Sequence, residues 1–313
     1  MVRDSNPYLG SYIHPSKPAQ TRTIQGKMTT FDKCLGAFIG LAIGDAMGAP
    51  VEFSPPGTFE TVTGYRAGGP FNLPSGYWTD DTSQAVCLAE SFIHCNGQIN
   101  LGDQMRRYSN WYEYGRNSST GVCFDIGNGT LRAIETFLVE GSLSLYPENS
   151  KGNGSLMRLS PVSIVYHKSS EQDAVAACDA SSSTTHGHLA SDLCKDLGRL
   201  LHQYLNGTGG KPEVSPEGIE NSGYAPKSLN AALYHFGSTS SFEEAILQAV
   251  NYGDDSDTVA AITGQLAGAY YGYKAIPKRW VSGLHDSERL LLIASTLYDL
   301  SFGTVSPLVS TLK

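Results

Sequence analysis

The sequence predicts an all-α protein, on three observations. Apolar residues recur at spacings of three and four in seven stretches, 31–48, 81–95, 186–205, 228–236, 242–251, 257–273 and 286–299, which is the period of one buried helix face. Strand-like alternation is nearly absent. Short Gly, Pro and Asn clusters separate the stretches, as loops between helices do. At 313 residues the chain can bury a full core. No composition break divides it, so ten or more helices in one compact domain over 29–313 are expected, behind an extension at 1–28.

Residues 1–28 are polar, with Pro7, Pro15 and Pro18, and show no period. They read either as a disordered tail or as an arm that anchors a partner through Tyr8, Tyr12, Ile13 and Ile24. From Phe31 the pattern turns helical. Gly36, Gly40, Gly44 and Gly48 fall four apart, as do Gly264, Gly268 and Gly272. A glycine inside a helix costs about 1 kcal/mol against alanine, so a stripe of them marks close approach of backbones. The segments 31–48 and 257–273 are therefore expected to be central helices packed tightly against each other or their neighbours. Asp45, Asp255 and Asp257 interrupt or flank them, which favours a soluble core over a membrane pair. The segment 206–226 reads as a surface loop.

Two stretches carry the chemistry. Thr79-Asp80-Asp81-Thr82 opens the helix at 81–95, and Gly253-Asp254-Asp255-Ser256-Asp257-Thr258 opens the helix at 257–273. One aspartate at a helix start is a cap. Two or three together repel unless a cation sits among them, and neither stretch has a nearby Lys or Arg. An all-oxygen donor set of carboxylates and threonine hydroxyls selects magnesium, manganese or calcium over zinc. Two such half-sites converging could hold two ions, a recurrent hydrolase arrangement.

Weaker candidates accompany them. Glu52 follows a glycine-rich helix end and reads either as a site acid or as a surface residue. Gly152-Asn153-Gly154-Ser155 offers free N–H groups suited to phosphate, or is a plain turn and cap. Asp125-Ile126-Gly127-Asn128-Gly129 carries the same two readings, and the His186-Gly187-His188 pair is a weak metal signal. A formal net charge of −8 argues against phosphate-backbone binding. No signal peptide or run of about 18 uncharged apolar residues is evident. Six cysteines without a tight spacing pattern suit a reducing, cytoplasmic compartment.

Five motifs in order resemble the ADP-ribosylglycohydrolase family, which includes the dinitrogenase-reductase-activating glycohydrolases. They are GAFIGLAIGDAMGAPVEF at 36–53, WTDDTSQ at 78–84, GNGSLMR at 152–158, THGH at 185–188 and NYGDDSDT at 251–258. The resemblance implies an orthogonal all-α fold with two magnesium ions, or manganese, in a cleft. It implies Thr79, Asp80, Asp81, Asp255, Asp257 and Thr258 as metal ligands, with Glu52 and Asp125 as the catalytic carboxylates. It places Gly127, Asn128, Gly152, Asn153, Gly154, Ser155, His186 and Tyr252 around the ADP-ribose. The implied activity is removal of ADP-ribose from a modified protein, foremost from arginine, with serine and ester linkages as alternatives. Some members resemble immunity proteins that neutralise an ADP-ribosyltransferase toxin, a role in which the 1–28 arm, with Lys17, would occlude the toxin. A metal-dependent phosphohydrolase is the remaining reading of the acidic clusters.

Overall fold

The computed structural model describes residues 28–303 except Asn149. The arm expected over 1–28 therefore lies outside the described residues apart from Met28. Twelve α-helices follow one another among the described residues: α1 (Thr30–Gly48), α2 (Asp80–His94), α3 (Leu101–Tyr114), α4 (Asn128–Glu140), α5 (Ser160–Val165), α6 (Glu171–Ser182), α7 (His188–Leu205), α8 (Ala225–Gly237), α9 (Phe242–Asn251), α10 (Ser256–Tyr271), α11 (Lys278–Gly283) and α12 (Ser287–Leu300). Only isolated bridges, Gly68 with Leu73 and Gly152 with Tyr224, show β pairing among them. The all-α class holds.

Helices α1 and α10 form the centre, buried along almost their whole lengths. Helix α1 starts where the Thr29 hydroxyl accepts from the Asp32 N–H at 3.1 Å, an ordinary N-cap. The two glycine stripes face each other. A methyl group built on Gly36 would overlap the Gly268 carbonyl oxygen, one on Gly40 the Gly264 carbonyl, and one on Gly44 the Ala260 carbonyl. The helices thus touch backbone to backbone, as the spacing predicts. The segment Thr30–Val51 is long and apolar enough to cross a membrane, but 94% of its apolar window is buried inside the fold, which makes it a core helix. Helices α2, α5, α7, α8, α9 and α12 pack around this pair in one continuous core. A second, smaller core joins α2, α3 and α4 through Cys87, Met105, Tyr108, Trp111, Ala133 and Ile134.

Five helices, α3, α4, α5, α6 and α11, have no counterpart among the expected stretches. Helices α5 and α11 span six residues each, too short for a period to register. Helix α6 is built of Ala, Ser and Asp, so its buried face is small rather than apolar. Helix α3 carries its own punctuation: the Asn100 side chain accepts from the Asp103 N–H at 2.9 Å, and Gly115 ends it in the left-handed region. The loop expected at 206–226 is only partly superficial. Asn221 is buried and its amide donates to the carbonyls of Ala249 and Gly253, each at 3.0 Å. All six cysteines are free thiols.

Candidate active site

Close contact of α1 and α10 determines what sits beside the glycines. Asp45 follows Gly44, and the space a Cβ on Gly48 would need is taken by the backbone of Asp257. Asp45 is fully buried. Its Oδ1 accepts from the Thr79 N–H at 2.8 Å and the Thr79 hydroxyl at 2.9 Å. Its Oδ2 accepts from the Thr82 N–H at 2.8 Å and the Thr82 hydroxyl at 2.6 Å. The carboxylate so caps the N-terminus of α2 and holds Asp80 and Asp81 against the α1–α10 seam.

Glu52 arrives by a different route. After α1 the chain makes one 3-10 turn, Ala49–Val51, and Phe53 takes a left-handed φ of 60°, which costs about 1–3 kcal/mol for a bulky residue. Reciprocal backbone bonds hold it there: the Phe53 N–H donates to Asp254 O and the Asp254 N–H donates to Ser54 O, both at 2.8 Å. Asp254 and Asp125 are left-handed as well. The loop before α10 and the loop after α1 are thereby clamped together, with Glu52 beside Asp257.

Two triads of carboxylate oxygens result, Asp45 with Asp81 and Asp257, and Glu52 with Asp125 and Asp257, each within 4.8 Å of one another. Asp257 belongs to both. The Thr79 hydroxyl lies 2.9 Å from Asp45, 3.1 Å from Asp257 and 3.3 Å from Asp81. A hydroxyl has one proton to give, so it cannot satisfy the three. Asp81 Oδ1 and Glu52 Oε2 are buried with no hydrogen-bond partner. No ion pair among the described residues reaches any of these carboxylates.

Electrostatics follows from that crowding. Burial first, then neighbouring carboxylates, raises Glu52, Asp80, Asp81 and Asp257 well above the usual carboxylate range. Burial and the charges of Asp45 and Asp255 push Asp125 up to about 8. Asp45 rises only to about 6, because its bonds from Thr79 and Thr82 oppose burial. Asp255 is raised by burial and restrained by the Asn153 amide, which donates to it at 2.6 Å. Orphaned carboxylate oxygens without a protein cation fit a hard divalent ion, and the donor set contains no sulfur or imidazole.

A cavity of about 560 Å³ opens on this cluster. Glu52, Asp80, Asp125 and Thr258 line it, together with Gly127, Asn128, Gly152, Asn153, Gly154 and His186. Thr79, Asp81 and Asp257 belong to the buried carboxylate cluster and do not line it, and Asp255 is engaged by Asn153. Two residues sit apart. Ser155 is buried and its hydroxyl accepts from Cys194 Sγ at 3.3 Å. Tyr252 caps α9 and packs edge-on against His235 at 5.0 Å. His188 stacks on Tyr146 at 4.2 Å, leaving His186 as the histidine of the cavity.

Sequence reading names Asp45 and Thr82 in passing but assigns neither a role in the site. The sequence does carry a signal for Asp45, the one charged residue in the apolar, glycine-striped run 34–48 of α1, where a lone charge is costly. It also passes over Arg132 and Lys151, which line the cavity but stand in no motif of their own.

Comparison with known proteins identifies the family of the chain. The ADP-ribosylglycohydrolase family model matches residues 26–220 and 189–304. An ADP-ribosylarginine hydrolase of Serratia proteamaculans is 40% identical over 297 residues, covering 86% of this chain and 80% of that protein. An ADP-ribosylarginine hydrolase of Pseudomonas putida is 36% identical over 316 residues, covering 91% and 85% respectively. A solved structure, an ADP-ribosylglycohydrolase-related protein complex, superposes with a TM-score of 0.75 at 39% identity, covering 87% of this chain and 99% of that one.

Proposed function

This chain belongs to the ADP-ribosylglycohydrolase family, and from that membership we propose that it hydrolyses the N-glycosidic bond between ADP-ribose and an arginine side chain of a modified protein. The observation that carries the reading is the likeness, over most of both chains, to two ADP-ribosylarginine hydrolases. The site supports it. The cavity is lined both by carboxylates and by the glycine-rich start of α4 and the Gly152–Gly154 turn. The first suits a reacting ribose, the second the N–H demands of a pyrophosphate.

The proposed metal ligands are Thr79, Asp80, Asp81, Asp255, Asp257 and Thr258, with Asp45 anchoring them and Asp257 shared between two positions. Bound there, two magnesium ions, or manganese, would supply the positive charge that the orphaned oxygens call for and that orients ribose hydroxyls and water.

The chain's own groups then do the following. Once bound cations offset the burial and the neighbouring carboxylates that raise it, Glu52, whose Oε2 has no partner, would be ionised and would take a proton from the water that attacks the anomeric carbon. The bond from that carbon to the guanidine nitrogen breaks while positive charge spreads over the ring, as in other glycoside hydrolysis. Asp125, which lines the same cavity with a carboxylate oxygen within 4.8 Å of Glu52, delivers a proton to the departing nitrogen. The products are ADP-ribose and the restored arginine. The partner is an ADP-ribosylated protein, and free thiols throughout suit a cytoplasmic setting.

Linkage is tested by offering the protein matched substrates ADP-ribosylated on arginine or on serine. Faster release from arginine is expected. Equal or faster release from serine would move the assignment to the serine linkage.

A further inference from the structure

Arg158 ends the GNGSLMR motif, is only 1% exposed, and takes part in no ion pair among the described residues. Its guanidinium lies over the Tyr108 ring, 4.4 Å from the centroid. A buried cation without a carboxylate is costly, and its hydrogen bonds lead in two directions. One nitrogen donates to Gln84 Oε1, and Gln84 Nε2 donates onward to Asp80 Oδ2 at 2.7 Å. The other donates to Thr185 Oγ1 at 2.6 Å, which lies 2.8 Å from His186 Nδ1.

A guanidinium can only donate. Gln84 must therefore turn its oxygen to Arg158 and its amide nitrogen to Asp80. Thr185, accepting from Arg158, has its own proton free for Nδ1. An accepting Nδ1 puts the ring proton on Nε2. That edge of His186 faces Gly129 and Gly154, where an added Cβ would lie 3.5 and 3.2 Å from Nε2, and all three residues line the cavity.

We propose that Arg158 is a positioning residue for two groups that line the cavity: through Gln84 it orients Asp80, and through Thr185 it holds His186 as an Nε2–H donor to an oxygen of the ligand. The ligand's identity as ADP-ribose rests on the function proposed above; the direction of the hydrogen bonds does not. Burial, then the Arg158 charge, holds His186 down to about 3, so the ring stays neutral at physiological pH. Only the tautomer then decides whether it gives or accepts.

The test uses the full chain labelled with ¹⁵N-histidine. Two-bond ¹H–¹⁵N spectra are recorded with His186 assigned through His186→Gln, and ADP-ribose binding is measured by calorimetry in magnesium. In the wild type, Nε2 should be protonated and Nδ1 bare. Thr185→Val, which keeps the shape and removes the hydroxyl, should let the Nδ1–H form appear and weaken ADP-ribose about tenfold, equivalent to about 1.4 kcal/mol. Gln84→Leu should leave the tautomer unchanged and lower magnesium affinity. A protonated Nδ1 in the wild type overturns the proposal, and so does Thr185→Val with tautomer and affinity both unchanged. If Thr185→Val does not fold, the wild-type tautomer alone decides. A wild type that binds no ADP-ribose, whatever its tautomer, overturns the functional reading instead.

Discussion

Gly44→Ala adds one methyl group at the seam on which the site is built. The new Cβ would overlap the Ala260 carbonyl and lie 2.7 Å from the Ala261 nitrogen, where ordinary contact is 3.4–4 Å. All of these are backbone atoms of α10, and none can rotate away. The seam must open by several tenths of an ångström at Ala261 and by more at Ala260. Overpacking of this kind costs about 1–3 kcal/mol, occasionally more, and rigid neighbours put it at the upper end. Alanine's better helix propensity returns about 1 kcal/mol, leaving a net loss of about 2 kcal/mol. With about 2.1 cal/mol/K of unfolding entropy per residue over a chain of 313 residues, that lowers Tm by about 3 °C. The opening also draws Asp45 away from Asp257, so magnesium affinity should fall by about tenfold or more, the scale seen when the surroundings of a metal site are disturbed. Gly102→Ala is the control: on α3 its Cβ would meet only Asn100 Oδ1 at 3.5 Å and Arg106 at 3.6 Å, so its Tm should equal or slightly exceed the wild type. Thermal denaturation and magnesium calorimetry on both variants read this out. Gly44→Ala with the Tm of the control and unchanged magnesium affinity would falsify the seam argument.

Three further outcomes follow from the carboxylate cluster. In EDTA, the raised Asp45 and Asp125, at about 6 and about 8, keep protons that the unfolded chain gives up near the ordinary aspartate value of 3.8. Their contribution is full below about pH 4 and is lost as pH rises through about 8, so Tm should decline over that window and magnesium should flatten the decline; a flat profile in EDTA would count against the crowding. Asp257→Asn should cut turnover at least about a hundredfold with an unchanged far-UV spectrum, whereas near-normal turnover would remove Asp257 from the metal ligands. Glu52→Gln should lower kcat by about 10²–10⁴-fold with KM little changed, and equal loss in kcat from a distant surface Glu→Gln control would deny it a proton-transfer role.

Much of this was legible because the decisive features are local. Glycines four apart announce a backbone contact, and clustered aspartates at helix starts announce a missing cation. Both depend on spacing within a few residues. What was not legible depends on partners far away in sequence. Asp45 gains its role from Thr79 and Thr82, across the α1–α2 interval. Asn221, inside a stretch that reads as surface loop, is buried by its bonds to Ala249 and Gly253. Ser155 and Tyr252 share motifs with cavity residues, yet a turn of backbone sends each elsewhere. Arg158 looks like an ordinary motif cation until Gln84 and Thr185 are seen on either side of it.

The most direct test is treatment of a protein ADP-ribosylated on arginine with this enzyme, in magnesium and in EDTA, followed by mass analysis of the released group. Intact ADP-ribose released in magnesium, with release abolished in EDTA and restored by added magnesium, is the predicted result. Release that persists unchanged in EDTA, or no release by folded protein in magnesium, would contradict the account.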